Sequence, residues 1–300
     1  MNKAGKILVV LNPAARRERA GRLKSLIEAV CRGAKVHTTN SLEDARNVAA
    51  EAGGGGWNAV VAAGGDGTIN AVVNGLAGFD IPLGILPVGT MNVFARELGI
   101  PLNCLEAAWR VVVSGQTREV DLAMANGLFF VQLAGAGLDA EVVRQTSTAA
   151  KRALGAWSYV VTLLRLAAAS GGKIKARPNG APAREGSFLL VGNGRYYGGP
   201  FKMFPRARLD DGLLDVLVFR RKSHWDVLRY AFAVGLGRLS QLRDVDYFQT
   251  GCLDVEAGRD DVSVEVDGEL VGRLPCKFRI APRRLRVLAP RPTSWCAGQQ

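Results

Sequence analysis

The strongest constraint in this chain is a five-residue run, Gly64-Gly65-Asp66-Gly67-Thr68, set between an apolar segment and a helical one. Ala59 to Ala62 reads as a buried strand, and Ile69, Val72, Val73 and Leu76 recur at the spacing of one helical face. A glycine-rich turn that opens a helix presents backbone N–H groups together with the positive end of the helix dipole, which is a phosphate-binding arrangement. Glycine suits positions where a side chain would block the approach of phosphate oxygens. Asp66 then needs a reason, because a carboxylate beside phosphates is repelled unless a cation lies between them. The cation expected is Mg²⁺, bridging Asp66 and a nucleotide. An ordinary tight turn with Asp66 capping the helix is the alternative.

The flanking segments repeat the pattern. Ile7 to Leu11, Ala34 to Thr38 and Leu83 to Leu86 read as further strands, while Arg17 to Cys31, Leu42 to Ala52, Thr68 to Leu76 and Met91 to Leu98 have helix length. Strand and helix in alternation predict a parallel sheet with helices on both faces. Asn103 is a candidate cap for one more helix, ending near Ser114. In such a sheet ligands bind outside the carboxyl ends of the strands, and two more turns fall there. One is Asn12 and Pro13, followed by Arg16 and Arg17; the other is Pro87 to Asn92, where Thr90 can donate a hydroxyl hydrogen bond to phosphate and Gly89 opens the turn. Together the three turns are expected to line one nucleotide crevice.

Beyond Val120 the texture changes to dense β segments punctuated by Gly, Pro and Asp: Leu128 to Leu133, Ser187 to Val191, Leu213 to Phe219, Val262 to Val266, Cys276 to Ile280 and Leu285 to Leu288. Helical insertions are expected at about Lys151 to Ala169 and Trp225 to Leu239. The organisation expected is an α/β nucleotide-binding domain over 1–124, a β-sandwich substrate domain over 125–292 and a tail over 293–300.

Charge separates the halves. Residues 1–124 hold 13 Lys and Arg against 11 Asp and Glu, while 125–300 hold 26 against 16, so the net +12 divides as +2 and +10. The second half is suited to an anionic partner, although 29 of the 39 cations are Arg, which a GC-rich coding bias also produces. Five cysteines without a CxxC pair indicate neither a disulfide framework nor a zinc site. With His37 and His224 the only histidines, mechanisms needing several are excluded. No apolar stretch approaches the ~20 residues that cross a bilayer, and Ile7 to Leu11 is too short for a signal-peptide core. The expected location is the cytoplasm.

Asn12 and Pro13, the Gly64 to Thr68 run with Asn70, and Leu86 to Asn92 with Phe94 together resemble the diacylglycerol kinase catalytic-domain family, which includes sphingosine and ceramide kinases. The resemblance continues through Gly192 to Gly194, Asp210 to Leu213, and Asp267 to Glu269. It implies an ATP site built from Asn12, Pro13, Thr39, the turn Gly64, Gly65, Asp66, Gly67, Thr68 and Asn70, and Gly89, Thr90 and Asn92, lying between an α/β domain of the NAD kinase and phosphofructokinase type and a β-sandwich. It further implies a structural Mg²⁺ held by Asp211 with the backbone carbonyls of Arg208 and Leu213, and a proton-accepting Glu269 assisted by Asp267. The acceptor would be a hydroxyl of a membrane lipid such as diacylglycerol. One departure is Ala71, where members of that family commonly carry Glu.

Read without the family, Asp267-Gly268 is a strong hairpin signal, and Asp210 to Asp215 suits a type I turn. Phosphoryl transfer adds weight to the acids, because an attacking hydroxyl must lose a proton and a positioned carboxylate accepts it. The apolar segment 153–169, with Trp157 and flanking Lys151, Arg152, Arg165 and Lys173, reads equally as a helix on an anionic membrane surface or as a core helix. The alternatives are a NAD kinase-like small-molecule kinase and a nucleotide-binding regulatory protein without turnover. A nucleic-acid partner is not expected, since only charge supports it. Oligomeric state is open, a homodimer included.

Overall fold

A computed structural model describes residues 6–13, 20–137, 172–258 and 261–291 of the chain. Two compact units are present: one runs to Val120 and resumes at Leu285, and the other is Asp121–Arg284. The first unit contains β1 (Ile7–Leu11), α1 (Ala20–Val30), β2 (Lys35–Thr38), α2 (Leu42–Gly54), β3 (Ala59–Gly64), α3 (Asp66–Leu76), β4 (Leu83–Pro87), α4 (Val93–Glu97) and α5 (Leu105–Val113).

Its strands pair in parallel in the order β2-β1-β3-β4. Every residue of β3 and β4 is buried, as their unbroken apolar runs require, whereas β2 at the edge is only partly covered. The chain steps outward from β1 to β2 and then crosses to β3 on the far side, so the winding reverses between β1 and β3 and opens a crevice at their carboxyl ends.

Helix α2 starts where the Ser41 hydroxyl accepts the Asp44 N–H at 3.0 Å, with Glu43 and Asp44 complementing the dipole. Its buried Ala45, Ala49 and Ala52 let α3 lie close. At Gly75 of α3 an added Cβ would sit 2.3 Å from the Arg46 carbonyl oxygen, so only glycine permits this approach. Ile69, Val72, Val73 and Leu76 form the fully buried face read from the sequence, each worth about 1.5–3 kcal/mol on burial. Helix α5 is capped one residue later than expected, at Cys104 and not Asn103, with no side-chain cap hydrogen bond.

The second unit begins in β5 (Thr117–Ala125), the strand into which the expected 124/125 boundary falls. It continues through β6 (Leu128–Phe130), β7 (Leu133–Ala136), β8 (Ile174–Pro178), β9 (Arg184–Gly186), β10 (Phe188–Gly192), β11 (Tyr196–Tyr197), β12 (Phe201–Lys202), β13 (Leu214–Phe219), α6 (His224–Gly235), β14 (Val245–Thr250), β15 (Cys252–Ala257), β16 (Ser263–Val266), β17 (Glu269–Arg273) and β18 (Cys276–Leu288). One antiparallel sheet has the order β14-β13-β10-β7-β16-β17. A second antiparallel set joins β18, β15, β8 and β9, with β5 and β6 attached.

Val191, Val216 and Val266 from the first sheet share a core with Phe130, Ala176, Leu253 and Phe278 from the second set, which makes the unit a sandwich. The opposite face of β10 and β13 is covered by α6, whose Tyr230 stacks edge-on against Phe219 at 4.9 Å between ring centroids. Strands buried on both faces lose their alternation, which is why β10 and β13 read as continuous apolar runs. The last residues of β18 belong to the first unit, where Val287 pairs parallel with Leu83.

Among the described residues no helix is long and apolar enough to cross a membrane. Burial pushes the Cys31 and Cys276 thiols up to about 12, while Cys104 is exposed. Because thiolate is the reactive form, a disulfide reagent is expected to modify Cys104 quickly in the native protein, and Cys104→Ser should remove one fast equivalent. Cys31 and Cys276 should react only on unfolding; fast native labelling of either would contradict their placement.

Candidate functional site

The first unit brings the expected turns together at the carboxyl ends of its strands. The Asn12 N–H, just past β1, donates to the Ala63 carbonyl at 3.1 Å, and its Nδ2 donates to the Thr68 hydroxyl at 3.2 Å, so the residue bridges the reversal between β1 and β3. Pro13 follows directly, and Arg16 and Arg17 lie outside the described residues. Thr39, past β2, ties back to the Leu11 carbonyl through its N–H at 2.8 Å and its hydroxyl at 3.2 Å.

The Gly64 carbonyl accepts the Val88 and Gly89 N–H groups at 3.1 and 3.2 Å, which locks the turn after β3 to the turn after β4. The two turns touch backbone to backbone: a Cβ on Gly89 would lie 2.4 Å from the Gly65 Cα and 3.1 Å from its nitrogen. Gly65 is the N-cap of α3 and supplies no side-chain cap. The first-turn N–H groups of any helix lack intrahelical carbonyls, so at α3 those of Asp66, Gly67 and Thr68 face the crevice with the dipole behind them.

Asp66 Oδ1 accepts the Phe94 N–H at 3.2 Å and so anchors the start of α4. Asn92 holds the turn shut from inside: at φ 48° it takes the Gly89 N–H on Oδ1 at 3.0 Å and returns Nδ2 to the Gly89 carbonyl at 2.8 Å. Thr90 is exposed at the tip of that turn, beside a cavity of about 390 Å³ lined by Pro87 to Asn92, Arg96, Leu102 and Asn103. Asn70, one turn into α3, accepts from the Asn74 amide at 3.1 Å.

The acids of the second unit are placed unequally. Asp267 and Gly268, at φ 45° and 88°, form the two-residue turn of the β16–β17 hairpin, as the Asp-Gly signal predicts. The Asp267 carboxylate is buried and accepts the N–H groups of Val131, Gln132 and Leu133 at 2.9, 3.0 and 2.9 Å. Leaving such amides unpaired costs about 1–3 kcal/mol each, so Asp267 holds the loop between β6 and β7. Glu269 is the first residue of β17 and is exposed. Asp267 is therefore a buried strut and Glu269 an exposed acid.

Around Asp211 the turn is crowded with like charge. Asp211 Oδ1 accepts the Leu213 N–H at 3.0 Å. Asp121, buried, accepts the Gly212 N–H on Oδ2 at 2.6 Å and pairs with Arg284 at 3.0 Å. Arg208 reaches Asp210 at 3.2 Å. Burial pushes the Asp211 carboxyl above the usual carboxylate range, and the Asp121 and Asp210 carboxylates push it further. Excess negative charge in this turn suits a hard divalent cation, although among the described residues no three His, Cys, Asp or Glu side chains form a metal-holding group.

Three residues here are not distinguished by sequence reasoning: Asp121, Asn193 as a side chain, and Arg284. Asn193, fully buried, donates Nδ2 to the Asp121 and Val131 carbonyls at 2.9 and 3.0 Å. It thereby joins the Asp211 turn to the loop that Asp267 holds. The signal available was Asp121 itself, one acid inside the apolar run Val120 to Ala123.

Comparison with known proteins agrees with this architecture. The diacylglycerol kinase catalytic domain matches residues 6–125, and the YegS C-terminal NAD kinase beta sandwich-like domain matches 132–289. The chain is 31% identical over 260 residues to a diacylglycerol kinase of Bacillus subtilis (strain 168), covering 85% of this chain and 86% of that one. It is 32% identical over 260 residues to a diacylglycerol kinase of Mycobacterium tuberculosis, covering 83% and 82%. A crystal structure of a diacylglycerol kinase from Bacillus anthracis str. Sterne superposes with a TM-score of 0.77 at 26% identity, over 97% of this chain and 99% of that one. The fold and both domain matches place this chain in the diacylglycerol kinase catalytic-domain family, a family of lipid kinases.

Proposed function

We propose that the chain transfers the γ-phosphate of ATP to a hydroxyl of a membrane lipid such as diacylglycerol, in the cytoplasm and at the inner face of the membrane. The observation that carries this reading is the abutment of the Gly65 and Gly89 turns at the winding reversal, with the uncapped start of α3 between them. The N–H groups of Asp66, Gly67 and Thr68 bind phosphate oxygens, the exposed Thr90 hydroxyl adds a donor, and Asn12, Thr39 and Asn92 hold the turns in place. Catalysis of phosphoryl transfer is mainly positioning and charge stabilisation, which backbone amides fixed by buried hydrogen bonds supply without reorganisation.

Asp66, a carboxylate in the first turn of α3 beside the phosphate-binding amides, fits a nucleotide-bound Mg²⁺, and Asp211 with the carbonyls of Arg208 and Leu213 fits a structural one. When bound, Mg²⁺ would supply positive charge against the phosphates and against the crowded acids. Glu269 takes the proton of the attacking hydroxyl, and Asp267 fixes the hairpin that carries it. Glu269→Gln is expected to lower turnover by about 10²–10⁴-fold while leaving ATP affinity unchanged. Wild-type turnover in that variant would remove Glu269 from the mechanism. A second reading, nucleotide binding without turnover, draws on the buried Ala71, where the family commonly has Glu; ATP binding without any labelled lipid would favour it.

A further inference from the structure

Helix α6 has two apolar faces, and only one of them is covered. Val227, Tyr230 and Ala233 pack into the core beneath it with Phe188, Leu217 and Phe219. On the other side Trp225 is 79% exposed, Leu228 44%, Phe232 70% and Leu236, the C-cap residue, 55%. These follow each other at intervals of three and four, which puts them in one stripe along the helix. A surface helix ordinarily turns its polar residues outward. Among the described residues half of the large apolar side chains that are exposed lie on this one stripe, and the rest, Leu26, Phe79, Val113 and Leu270, are scattered.

The charges around the stripe are predominantly cationic. Residues 220–246 hold six Lys and Arg against three Asp. Each of those acids already has a partner: Asp226 and Asp244 are paired with Arg229, and Asp246 with Arg220. Exposed Arg221 lies before the helix, and exposed Arg238 and Arg243 lie beyond its end. We propose that the outer face of α6 docks on an anionic lipid surface, with Trp225 and Phe232 entering the acyl boundary and the flanking arginines meeting headgroup phosphates. This rests on the reading above, in which the substrate sits in a bilayer.

Apolar side chains with cations at their margins are what interfacial helices use, and arginine stems can lie along the apolar zone while their heads stay at the headgroups. A second copy of the chain fits less well. A two-fold contact through this stripe would set its cationic flanks against each other, and the nearby acids Asp226, Asp244 and Asp246 are already paired. The stripe contains none of the residues assigned to the nucleotide or the acids, so docking and turnover can be separated.

Flotation of the full chain on vesicles tests this without nucleotide. Phosphatidylcholine vesicles containing about a third phosphatidylglycerol, enough to give a negative surface, are compared with pure phosphatidylcholine. Wild type is expected to float with the anionic vesicles only. Trp225→Ser with Phe232→Ser, and separately Arg221→Glu with Arg238→Glu, should each cut the bound fraction more than about tenfold, consistent with about fivefold per surface cation. Both variants should keep activity toward a soluble short-chain diacylglycerol while losing it toward diacylglycerol in vesicles.

If no lipid is phosphorylated yet anionic flotation depends on the stripe, the kinase reading fails and the docking face stands. Equal flotation on neutral vesicles, unchanged flotation of either variant, or a wild-type dimer that the Ser variant splits and that binds no vesicles would each overturn the proposal.

Discussion

Alanine at position 89 is expected to lower turnover by about 100-fold or more and to weaken ATP binding in parallel. Its Cβ would fall 2.4 Å from the Gly65 Cα and 2.8 Å from Asn92 Oδ1. Neither neighbour can yield cheaply, because one is backbone and the other is held by the turn it closes. The turns after β3 and β4 must therefore separate, and a displacement of about 1 Å in a positioning element is worth roughly 10²-fold in rate. Overpacking of this kind costs about 1–3 kcal/mol in stability, so the melting temperature should fall by several degrees while the fold persists. Isothermal titration with ATP and a thermal melt on the same sample check both halves. Unchanged ATP affinity would mean that the two turns do not grip the nucleotide together.

Asp66→Asn is expected to abolish turnover by about 10³-fold, the scale on which removing one electrostatic contact to the transferring group acts, and to leave stability almost unchanged. The asparagine oxygen can still accept the Phe94 N–H that Asp66 Oδ1 accepts at 3.2 Å, so the start of α4 keeps its anchor. What is lost is the charge that would balance a divalent cation beside the phosphates. The pair of variants separates two functions of the same crevice: position 89 acts through shape, and position 66 through charge. Near-normal turnover in Asp66→Asn would leave the carboxylate as no more than a cap.

The sheet of the first unit was legible because its central strands are buried on both faces and read as unbroken apolar runs, and the phosphate turns follow them directly. The second unit was harder for a definite reason. Strand β8 buries Ile174, Ala176 and Pro178 but exposes Lys175 and Arg177, so its alternation was hidden in a basic stretch. Strand β14 carries Asp246 and is only partly buried along its middle, strand β15 alternates Asp254 and Glu256 with its buried residues, and both went unread. Pro282 divided β18 in the sequence pattern, giving two short strands where the structure has one of 13 residues. The opposite error fell at Leu128 to Leu133, where the chain leaves the ladder at Val131 and Gln132 because those amides go to Asp267.

The same distinction governs the candidate site. Glycine turns carry their purpose within a few residues, so Gly64 to Thr68 and Pro87 to Asn92 could be read locally. The network of Asp121, Asn193 and Arg284 joins residues far apart in the chain, and no local pattern marks its members as partners. Asp267 was legible as a hairpin turn, but its burial under three amides was not, since the donors lie in another strand connection. The segment 151–169, weighed for membrane contact, lies outside the described residues; the exposed stripe that carries that idea was found instead on α6, where the sequence had suggested only a helical insertion.

The central claim is that this chain moves the terminal phosphate of ATP onto a lipid hydroxyl. The most direct test is incubation of the purified protein with γ-labelled ATP, Mg²⁺ and a total lipid extract, with the labelled product identified by mass spectrometry. A labelled phosphomonoester of a hydroxyl-bearing lipid, absent with Asp66→Asn, is the predicted result. Label that never enters the lipid fraction, or that passes to NAD supplied in parallel, would contradict it.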